Sequence, residues 1–322
     1  MVSLNSQLFM VKKGVMNQGL QVSPSDFIKQ FDRAQLLFAV FAYAMGAGVA
    51  EFLGERIFWD NYWIGQCLVL FLIIFSNFLK GYFDFFDPQE FSRVYADLIK
   101  RDQTGKIIRQ TSAAWLIIAL SALTGAVGMT VLAEARGILG TPSVIVLGLV
   151  IFLTLFYAAP PLRLVYSGYG ELTQAILITN LVPALALLFQ MNHLHRLLGM
   201  VSFPITFLYL AMMISLSLKD YGSDINLDRN TMLSRMGWRR GMFIHNLLAL
   251  SAYILTGIAL LFGLPWGLAW PFLFTLPLAL FQIGQINSIQ GGSAPKWTMI
   301  KASSYALAGL GLYLVTFSLW IG

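Results

Sequence analysis

Four polar side chains stand at helical spacing at the end of one apolar segment. Offsets of three, four and three residues separate Asn77, Lys80, Asp84 and Asp87. Residues three or four positions apart lie on the same face of a helix, so the sequence predicts a polar stripe along this helix end. Carboxylate and amide oxygens on one face are suitable ligands for magnesium.

Three aspartates follow a second apolar segment at intervals of four residues: Asp220, Asp224 and Asp228. They share one face if the helix continues that far. Like charges at this spacing repel, and carboxylates near lipid are costly unless they are paired or bound to a cation. Two facing acidic helix ends therefore indicate a divalent metal site, and magnesium commonly bridges to substrate phosphates. The alternative interpretation is a pair of ordinary, solvated helix ends.

Basic residues adjoin both acidic groups. They are Arg93, Lys100, Arg101, Lys106 and Arg109 after the first group, and Lys219, Arg229, Arg235, Arg239 and Arg240 around and after the second. A diphosphate needs metal ions held by carboxylates, and its other oxygens are met by guanidinium and ammonium groups. The combination of acids and bases therefore predicts a diphosphate substrate.

A proline-rich stretch between two apolar segments, residues 157–171, is called the proline segment below. It reads Tyr-Ala-Ala-Pro-Pro-Leu-Arg-Leu-Val-Tyr-Ser-Gly-Tyr-Gly-Glu. Pro160 and Pro161 end a helix and the glycines permit a tight turn. Arg163 and Tyr157 are then expected to project from an ordered loop. Without its neighbours, the segment is better explained as a rigid connection between helices.

These groups must be positioned by helices that lie in a membrane. Hydrophobic residues make up 57% of the 322 residues and charged residues only 11%, too few to cover a surface in water. Continuous apolar runs in place of period-two alternation favour membrane helices over a transmembrane barrel. The sequence predicts an all-α integral membrane protein of about nine helices, with spans near 34–53, 62–83, 112–133, 142–159, 172–191, 198–218, 242–263, 266–284 and 300–321.

The distribution of lysine and arginine predicts the orientation. All but Arg56, Arg136 and Arg196 of the 21 basic residues fall on the side of the N-terminus. Cytoplasmic loops are enriched in these residues, so the N-terminus and both acidic groups are expected in the cytoplasm, as in a bacterial inner-membrane protein. The net charge of +6 reflects this topology and not nucleic-acid binding. Residues 1–33 form an interfacial segment and 34–322 a single membrane domain.

Some other polar residues have less specific interpretations. Cys67 is the only cysteine and lies in an apolar run, which excludes a disulfide framework or a thiolate cluster. Asn180 lies at membrane depth, where an amide either lines a binding pocket or makes a hydrogen bond between helices.

Taken together, these motifs resemble the UbiA-type superfamily of intramembrane prenyltransferases. The resemblance is greatest to the branch that acts on 1,4-dihydroxy-2-naphthoate in menaquinone synthesis. Members have an Asn/Asp-rich motif after the second helix, Tyr-x-x-Pro-Pro-x-Arg/Lys followed by Gly-x-Gly-Glu after the fourth, and spaced aspartates after the sixth. The matching positions here begin at Asn77, Tyr157 and Asp220, and the resemblance extends over almost the whole chain.

The resemblance implies a magnesium-dependent transfer of a polyprenyl group from its diphosphate to an aromatic acceptor, with the tail in an opening toward lipid. It implies that Asp220, Asp224 and Asp228 hold one metal ion and that Asn77, Asp84 and Asp87 hold another. It further implies that Arg163, Lys106 and Arg109 contact the diphosphate, and that Tyr157 lines the reacting region.

The first motif departs from the family pattern. Lys80 and Gly81 stand where the family has asparagine and aspartate, and Pro88 replaces a further aspartate. Lys80 either takes over part of the metal's charge against the phosphate or pairs with the acids in an inactive descendant. Two other functions therefore stay open, a catalytically silent protein that binds isoprenoids or quinones and, from a different class, a transporter that moves ions past these charges.

Overall fold

The computed structural model describes residues 33–86, 112–226 and 229–322. Within these ranges nine helices are long and apolar enough to cross a membrane. We number them α1 (Arg33–Phe52), α2 (Trp59–Phe86), α3 (Ser112–Ala135), α4 (Thr141–Ala158), α5 (Gly170–Met191), α6 (Arg196–Asn226), α7 (Trp238–Leu261), α8 (Trp266–Gln290) and α9 (Trp297–Ile321).

The predicted fold class and all nine spans are confirmed. The largest difference is at α6, which was expected to end near residue 218 and continues to Asn226. The apolar stretch identifies only the part of a helix that lies in lipid, whereas hydrogen bonding continues the same helix into the polar residues beyond it. The interfacial segment 1–33 lies almost entirely outside the described residues, and the cytoplasmic side of the N-terminus stays a prediction.

The helices form one bundle in which α5 is central and α3 is peripheral. In its most apolar 18-residue window, α5 is 78% buried, whereas α3 is 22% buried and packs mainly on α2. α1 packs against α5 and α9, and α6 packs against α7 and α9. Ile117, Val127 and Val131 are among the exposed side chains of α3, as expected for a surface that faces lipid.

Small residues allow the helices to approach closely. Gly46 of α1 faces the backbone of Pro183 in α5, and Gly65 of α2 faces the ring of Tyr43 in α1. In lipid, where apolar burial gives little net driving force between helices, such close contact is a main source of attraction. These glycines therefore hold α1, α2 and α5 together below the polar helix ends.

A short π-helical turn, Leu177–Leu181, interrupts α5 in the middle of the membrane. It turns Asn180 toward α6, where its amide donates to the hydroxyl of Thr206 at 2.8 Å and its carbonyl accepts from Ser202 at 3.2 Å. Of the two alternatives left open for Asn180, the structure shows the hydrogen bond between helices. This contact fixes α5 against α6, and both helices lead to the site.

Candidate functional site

The site lies where the ends of α2, α4 and α6 and the start of α5 meet on one face of the bundle. Successive spanning helices run in opposite directions, so helices of even number end on the same face. The proline segment connects α4 to α5 at this face, and a basic segment (residues 229–237) connects α6 to α7. The structure therefore brings together parts of all three sequence motifs.

Asp84, near the end of α2, contacts three described side chains of the site. Its side chain is 6% exposed, and its Oδ1 accepts a hydrogen bond from Nη2 of Arg163 at 2.8 Å. Its Oδ2 accepts from the hydroxyl of Tyr166 at 2.9 Å and lies 3.0 Å from Nζ of Lys80, one turn earlier on α2. Both oxygens of this buried carboxylate are thus engaged, and two cations contact a single negative charge.

Tyr166 is the residue that connects the site, and no role for it was predicted from the sequence. Three cationic groups lie near its ring centroid, with Arg163 at 4.7 Å, Arg229 at 5.0 Å and Lys80 at 5.6 Å. The electron-rich face of an aromatic ring attracts cations at such distances. Its position three residues after Arg163 in an ordered loop was the available signal. Tyr166 therefore holds three positive side chains near Asp84.

The local backbone explains how Arg163 and Tyr166 reach Asp84. α4 ends at Ala158, before the two prolines, and Arg163 adopts a left-handed conformation with φ of 38°. The short 3-10 turn Leu164–Tyr166 follows at once. This tight reversal turns Arg163 and Tyr166 to the same carboxylate. The prolines predicted the end of α4 and the ordered loop after it, but not this shared contact.

Asp224, near the end of α6, forms the opposite half of the site. It is 4% exposed, and its Oδ1 lies 3.3 Å from Nη1 of Arg229. The second terminal nitrogen of Arg229 donates to the hydroxyl of Tyr166 at 3.4 Å. Arg229 and Tyr166 therefore connect the acid of α6 to the acid of α2. Asp220 lies on α6 one turn earlier and is exposed.

Two other predicted residues line the approach to these acids. Tyr157 is 7% exposed at the end of α4, and its hydroxyl accepts from Nε2 of Gln174 at 2.9 Å. Asn77 donates from Nδ2 to Oε1 of Gln35 in α1 at 3.0 Å. Tyr157 is therefore fixed beside the cluster, and Asn77 joins α2 to α1 one turn below Lys80.

The proline segment and the basic segment are attached to each other. Ser167 and Asn230 form an isolated parallel β-bridge, and Nη1 of Arg235 donates to the carbonyl oxygen of Ser167 at 2.9 Å. The backbone N–H of Met232 donates to the buried carboxylate of Glu171 at 3.3 Å. These contacts make one cap of two loops, and Arg163, Tyr166 and Arg229 lie on its inner side.

The two halves of the site differ in their fit to a metal ion. Asp220 and Asp224 share a face of α6 and supply oxygen ligands of the kind that magnesium prefers, although Arg229 also contacts Asp224. At Asp84, Lys80 and Arg163 already lie where an added cation would bind, and like charges 4 Å apart repel by about 4 kcal/mol at an effective dielectric constant of 20. No group of three acidic, histidine or cysteine side chains that could hold a metal occurs in residues 33–86, 112–226 and 229–322.

Four of the expected site residues lie outside the described residues: Asp87, Lys106, Arg109 and Asp228. Asp84, Arg163, Lys80 and Asp224 lie in one connected cluster, with Tyr157 beside it. The metal ion expected at Asn77, Asp84 and Asp87 stays a prediction, and the observed partners of Asp84 favour a different arrangement.

A cavity opens beside Asp220 between α1, α6 and α9. It has a volume of about 160 Å³, and it is lined mainly by apolar and aromatic side chains, among them Phe38, Tyr209, Met212 and Tyr305. Phe38 and Tyr209 meet edge to face with centroids 5.0 Å apart. The polar helix ends are therefore continuous with an apolar recess between membrane helices.

Comparisons with known proteins support the fold. No family model and no curated protein sequence matches the chain. Structures of a UbiA homolog from Archaeoglobus fulgidus are similar, one of them bound to GPP and Mg²⁺ (TM-score 0.59, 15% identity) and another to DMAPP and Mg²⁺ (TM-score 0.60, 14% identity). Each comparison covers 88% of this chain and 96% of the other.

These likenesses and the nine apolar helices define the class of protein. The chain is an integral, multi-pass membrane protein with the fold of a UbiA homolog. The fold that the sequence motifs implied is thus confirmed. The 1,4-dihydroxy-2-naphthoate branch is a finer assignment that neither the fold nor the likenesses test.

Proposed function

We propose that the chain transfers a polyprenyl group from its diphosphate to an aromatic acceptor. The observation that carries this proposal is the cluster that connects Asp84, Arg163, Tyr166, Arg229 and Asp224 at one end of a UbiA-type bundle. At the membrane surface, this cluster presents both carboxylates and cations to an anionic group of a substrate. The relatives of known structure that bind GPP or DMAPP with Mg²⁺ have the same fold.

The residues divide into two roles in this proposal. Asp220, Asp224 and Asp228 hold a Mg²⁺ ion, which supplies positive charge to the departing diphosphate. Arg163 and Lys80 bind diphosphate oxygens from the α2 side, with Lys106 and Arg109 as further contacts. Arginine meets phosphate with paired N–H groups, whereas lysine acts as a point charge. Preorganised charges of this kind are often the largest contribution to catalysis.

The chemistry is an electrophilic alkylation. As the allylic C–O bond breaks, the electron pair leaves with the diphosphate and positive charge develops on the prenyl carbon. The electron-rich ring of the acceptor attacks that carbon and afterwards loses a proton. Tyr157, buried beside the cluster, faces the reacting region and its ring stabilises the developing cation. The surrounding helices exclude water, which would otherwise capture the carbocation.

The apolar cavity beside Asp220 is the proposed entrance for the prenyl tail. Its position between α1, α6 and α9 places an apolar recess directly beside an acid of the site. A polyprenyl chain can then remain among apolar side chains and lipid while its diphosphate reaches the polar cap. This division of the substrate matches the division of the protein into apolar helices and polar helix ends.

For the acceptor we propose a naphthoate, as in menaquinone synthesis, from the resemblance of the motifs. Acceptors of the quinone, tocopherol or chlorophyll pathways are the alternatives. We place the site on the cytoplasmic face, because the loops on that face carry almost all lysine and arginine residues. The test is diphosphate release from geranylgeranyl diphosphate by the purified protein, with dihydroxynaphthoate, 4-hydroxybenzoate and homogentisate offered in turn.

Asp224→Asn is the variant that tests the assignment of the site. The change keeps the shape of the side chain and removes the buried charge that faces Arg229. We expect turnover to fall at least 100-fold, because the metal and the paired arginine both lose their carboxylate. Asp60→Asn is the matched control, since Asp60 lies at the other end of α2 and pairs with Arg136. Near-normal turnover of Asp224→Asn would contradict the assignment.

A second candidate function is binding of isoprenoid diphosphates or quinones without catalysis. The specific observation in its favour is that both oxygens of Asp84 already contact groups of the protein itself. Saturable binding of geranylgeranyl diphosphate with no product from any acceptor would support this candidate. Product formation with one acceptor would exclude it.

A further inference from the structure

We propose that Lys80, Arg163 and Arg229 form a built-in cation group that binds the diphosphate at the α2 side in place of a metal ion. The protein then binds a prenyl diphosphate with one divalent ion, held at the α6 side. This inference rests on the proposed function and specifies how the same site neutralises its substrate.

The contacts of Asp84 are the first support. Lys80 and Arg163 lie 3.0 Å and 2.8 Å from its two oxygens, so one carboxylate is matched by two positive charges. A carboxylate that binds a metal ion instead lies beside other oxygen ligands for that ion, in a site whose net charge is negative. Among residues 33–86, 112–226 and 229–322, the charge balance at Asp84 is therefore that of an anion-binding site and not that of a cation-binding site.

The arrangement around Tyr166 is the second support. All three cationic groups lie within 5.6 Å of its ring centroid, and their side chains are only 12–28% exposed. The ring and the two carboxylates hold the cations in place before any substrate arrives. An ammonium has three N–H donors and a guanidinium five, so contact with one carboxylate does not use all the donors of either group.

The packing at Gly81 is the third support. A Cβ atom at this position would lie 2.9 Å from the ring of Trp115 in α3, which is closer than side chains normally approach. Trp115 is 5% exposed and packs on Phe78. A carboxylate next to Lys80 therefore has no room, and Asp84 is the acid that the described part of α2 offers at this end.

The experiment counts bound metal ions. The full-length protein is purified in detergent and titrated with Mn²⁺ in the presence of saturating geranyl thiolodiphosphate, an analogue that resists cleavage, and bound Mn²⁺ is measured by electron paramagnetic resonance. We expect one Mn²⁺ per chain. In Lys80→Asn, which replaces the cation by an oxygen ligand, we expect two Mn²⁺ per chain or an affinity for the analogue at least tenfold lower. Lys301→Asn, an exposed lysine of α9, is the matched control and is expected to behave as the wild type.

The possible outcomes separate this inference from the proposed function. Two Mn²⁺ ions in the wild-type complex, or a Lys80→Asn variant with an unchanged count and affinity, would overturn the built-in cation group and leave prenyl transfer intact. If inorganic pyrophosphate binds but the prenyl analogue does not, the proposal of prenyl transfer fails. The number of Mn²⁺ ions bound together with pyrophosphate then decides whether the built-in cation group replaces a metal ion. If neither anion binds, both proposals fail. The number of Mn²⁺ ions in the wild-type complex is measured without any variant. Misfolding of Lys80→Asn would therefore still leave the built-in cation group testable.

Discussion

Gly81 stands directly after Lys80 and faces the ring of Trp115. Restoring both family residues, with Lys80→Asn and Gly81→Asp, is the change that the family pattern suggests as a test of whether the motif has decayed. The structure makes the second change unsuitable, because any side chain at residue 81 must displace a buried tryptophan. The two departures from the motif are therefore of different kinds, one electrostatic and one steric.

Gly81→Ala tests this packing by itself. We expect a lower melting temperature, because forcing a methyl group into a filled space typically costs about 1–3 kcal/mol. The measurement is thermal unfolding in detergent, followed by intrinsic fluorescence. Gly128→Ala in α3 is the matched control, since a Cβ atom there meets nothing within 4 Å. Equal melting temperatures for the two variants would contradict the close packing of Gly81 on Trp115.

The individual site residues were predictable to different degrees. Asp84 and Arg163 were both named from the sequence, and they lie 2.8 Å apart. Tyr166 was not named, because its role depends on the left-handed turn at Arg163 and the 3-10 turn that follows. Spacing rules apply to regular helices and strands, whereas a loop places its side chains according to its detailed backbone path.

The helices were the most predictable elements of the chain. Each span is a long apolar stretch, and lipid requires such a stretch to satisfy its own backbone hydrogen bonds. The π-helical turn at Leu177–Leu181 and the continuation of α6 to Asn226 were not predictable in the same way. Both depend on contacts with neighbouring helices or on polar residues, which hydropathy does not record.

The attachment of the proline segment to the basic segment can be tested with Arg235→Met. This change removes the hydrogen bond to Ser167 and the contact with the ring of Tyr169, at 5.4 Å from its centroid. We expect the proline segment to open more often, so that trypsin cleaves after Arg163 several times faster and prenyl transfer falls several-fold. The measurements are the rate of appearance of the cleaved fragment and the rate of diphosphate release.

Arg239→Met is the matched control for this comparison. Arg239 is exposed near the start of α7, and its replacement also removes one trypsin site from this region. We expect wild-type rates of cleavage after Arg163 and of diphosphate release. An Arg235→Met variant that behaves like Arg239→Met would show that the two loops hold together without Arg235.

At the scale of the whole molecule, the orientation in the membrane is open to a direct test. The alternation of spanning helices puts Ser293, between α8 and α9, on the face of the site and Glu55, between α1 and α2, on the other face. Both residues are exposed. In a variant without Cys67, we expect a membrane-impermeant maleimide to label Glu55→Cys in intact cells and Ser293→Cys only after the membrane is opened. The reverse pattern would place the site outside the cell.

The whole fold was predictable because its determinants are distributed over hundreds of residues, whereas the site depends on a few contacts across the bundle. Nine apolar stretches specify nine spans even if several boundaries are misjudged. By contrast, the connection from Asp84 through Tyr166 and Arg229 to Asp224 passes through three separate parts of the chain. Spacing within one segment cannot show a contact that exists only after the helices have packed.

The length of α6 has a consequence for energetics. Its 31 residues extend about 46 Å at 1.5 Å per residue, well beyond a hydrocarbon core of about 30 Å, and Asp224 lies near its end. A charge that crosses the bilayer experiences the membrane potential, about 2.3 kcal/mol per unit charge at 100 mV. If the proposed function is correct, diphosphates that bind beside Asp224 arrive and depart on one side of the membrane, so we expect the electric field across the membrane neither to drive nor to oppose their binding. We therefore expect the rate of the reaction at this site to be the same with and without a membrane potential.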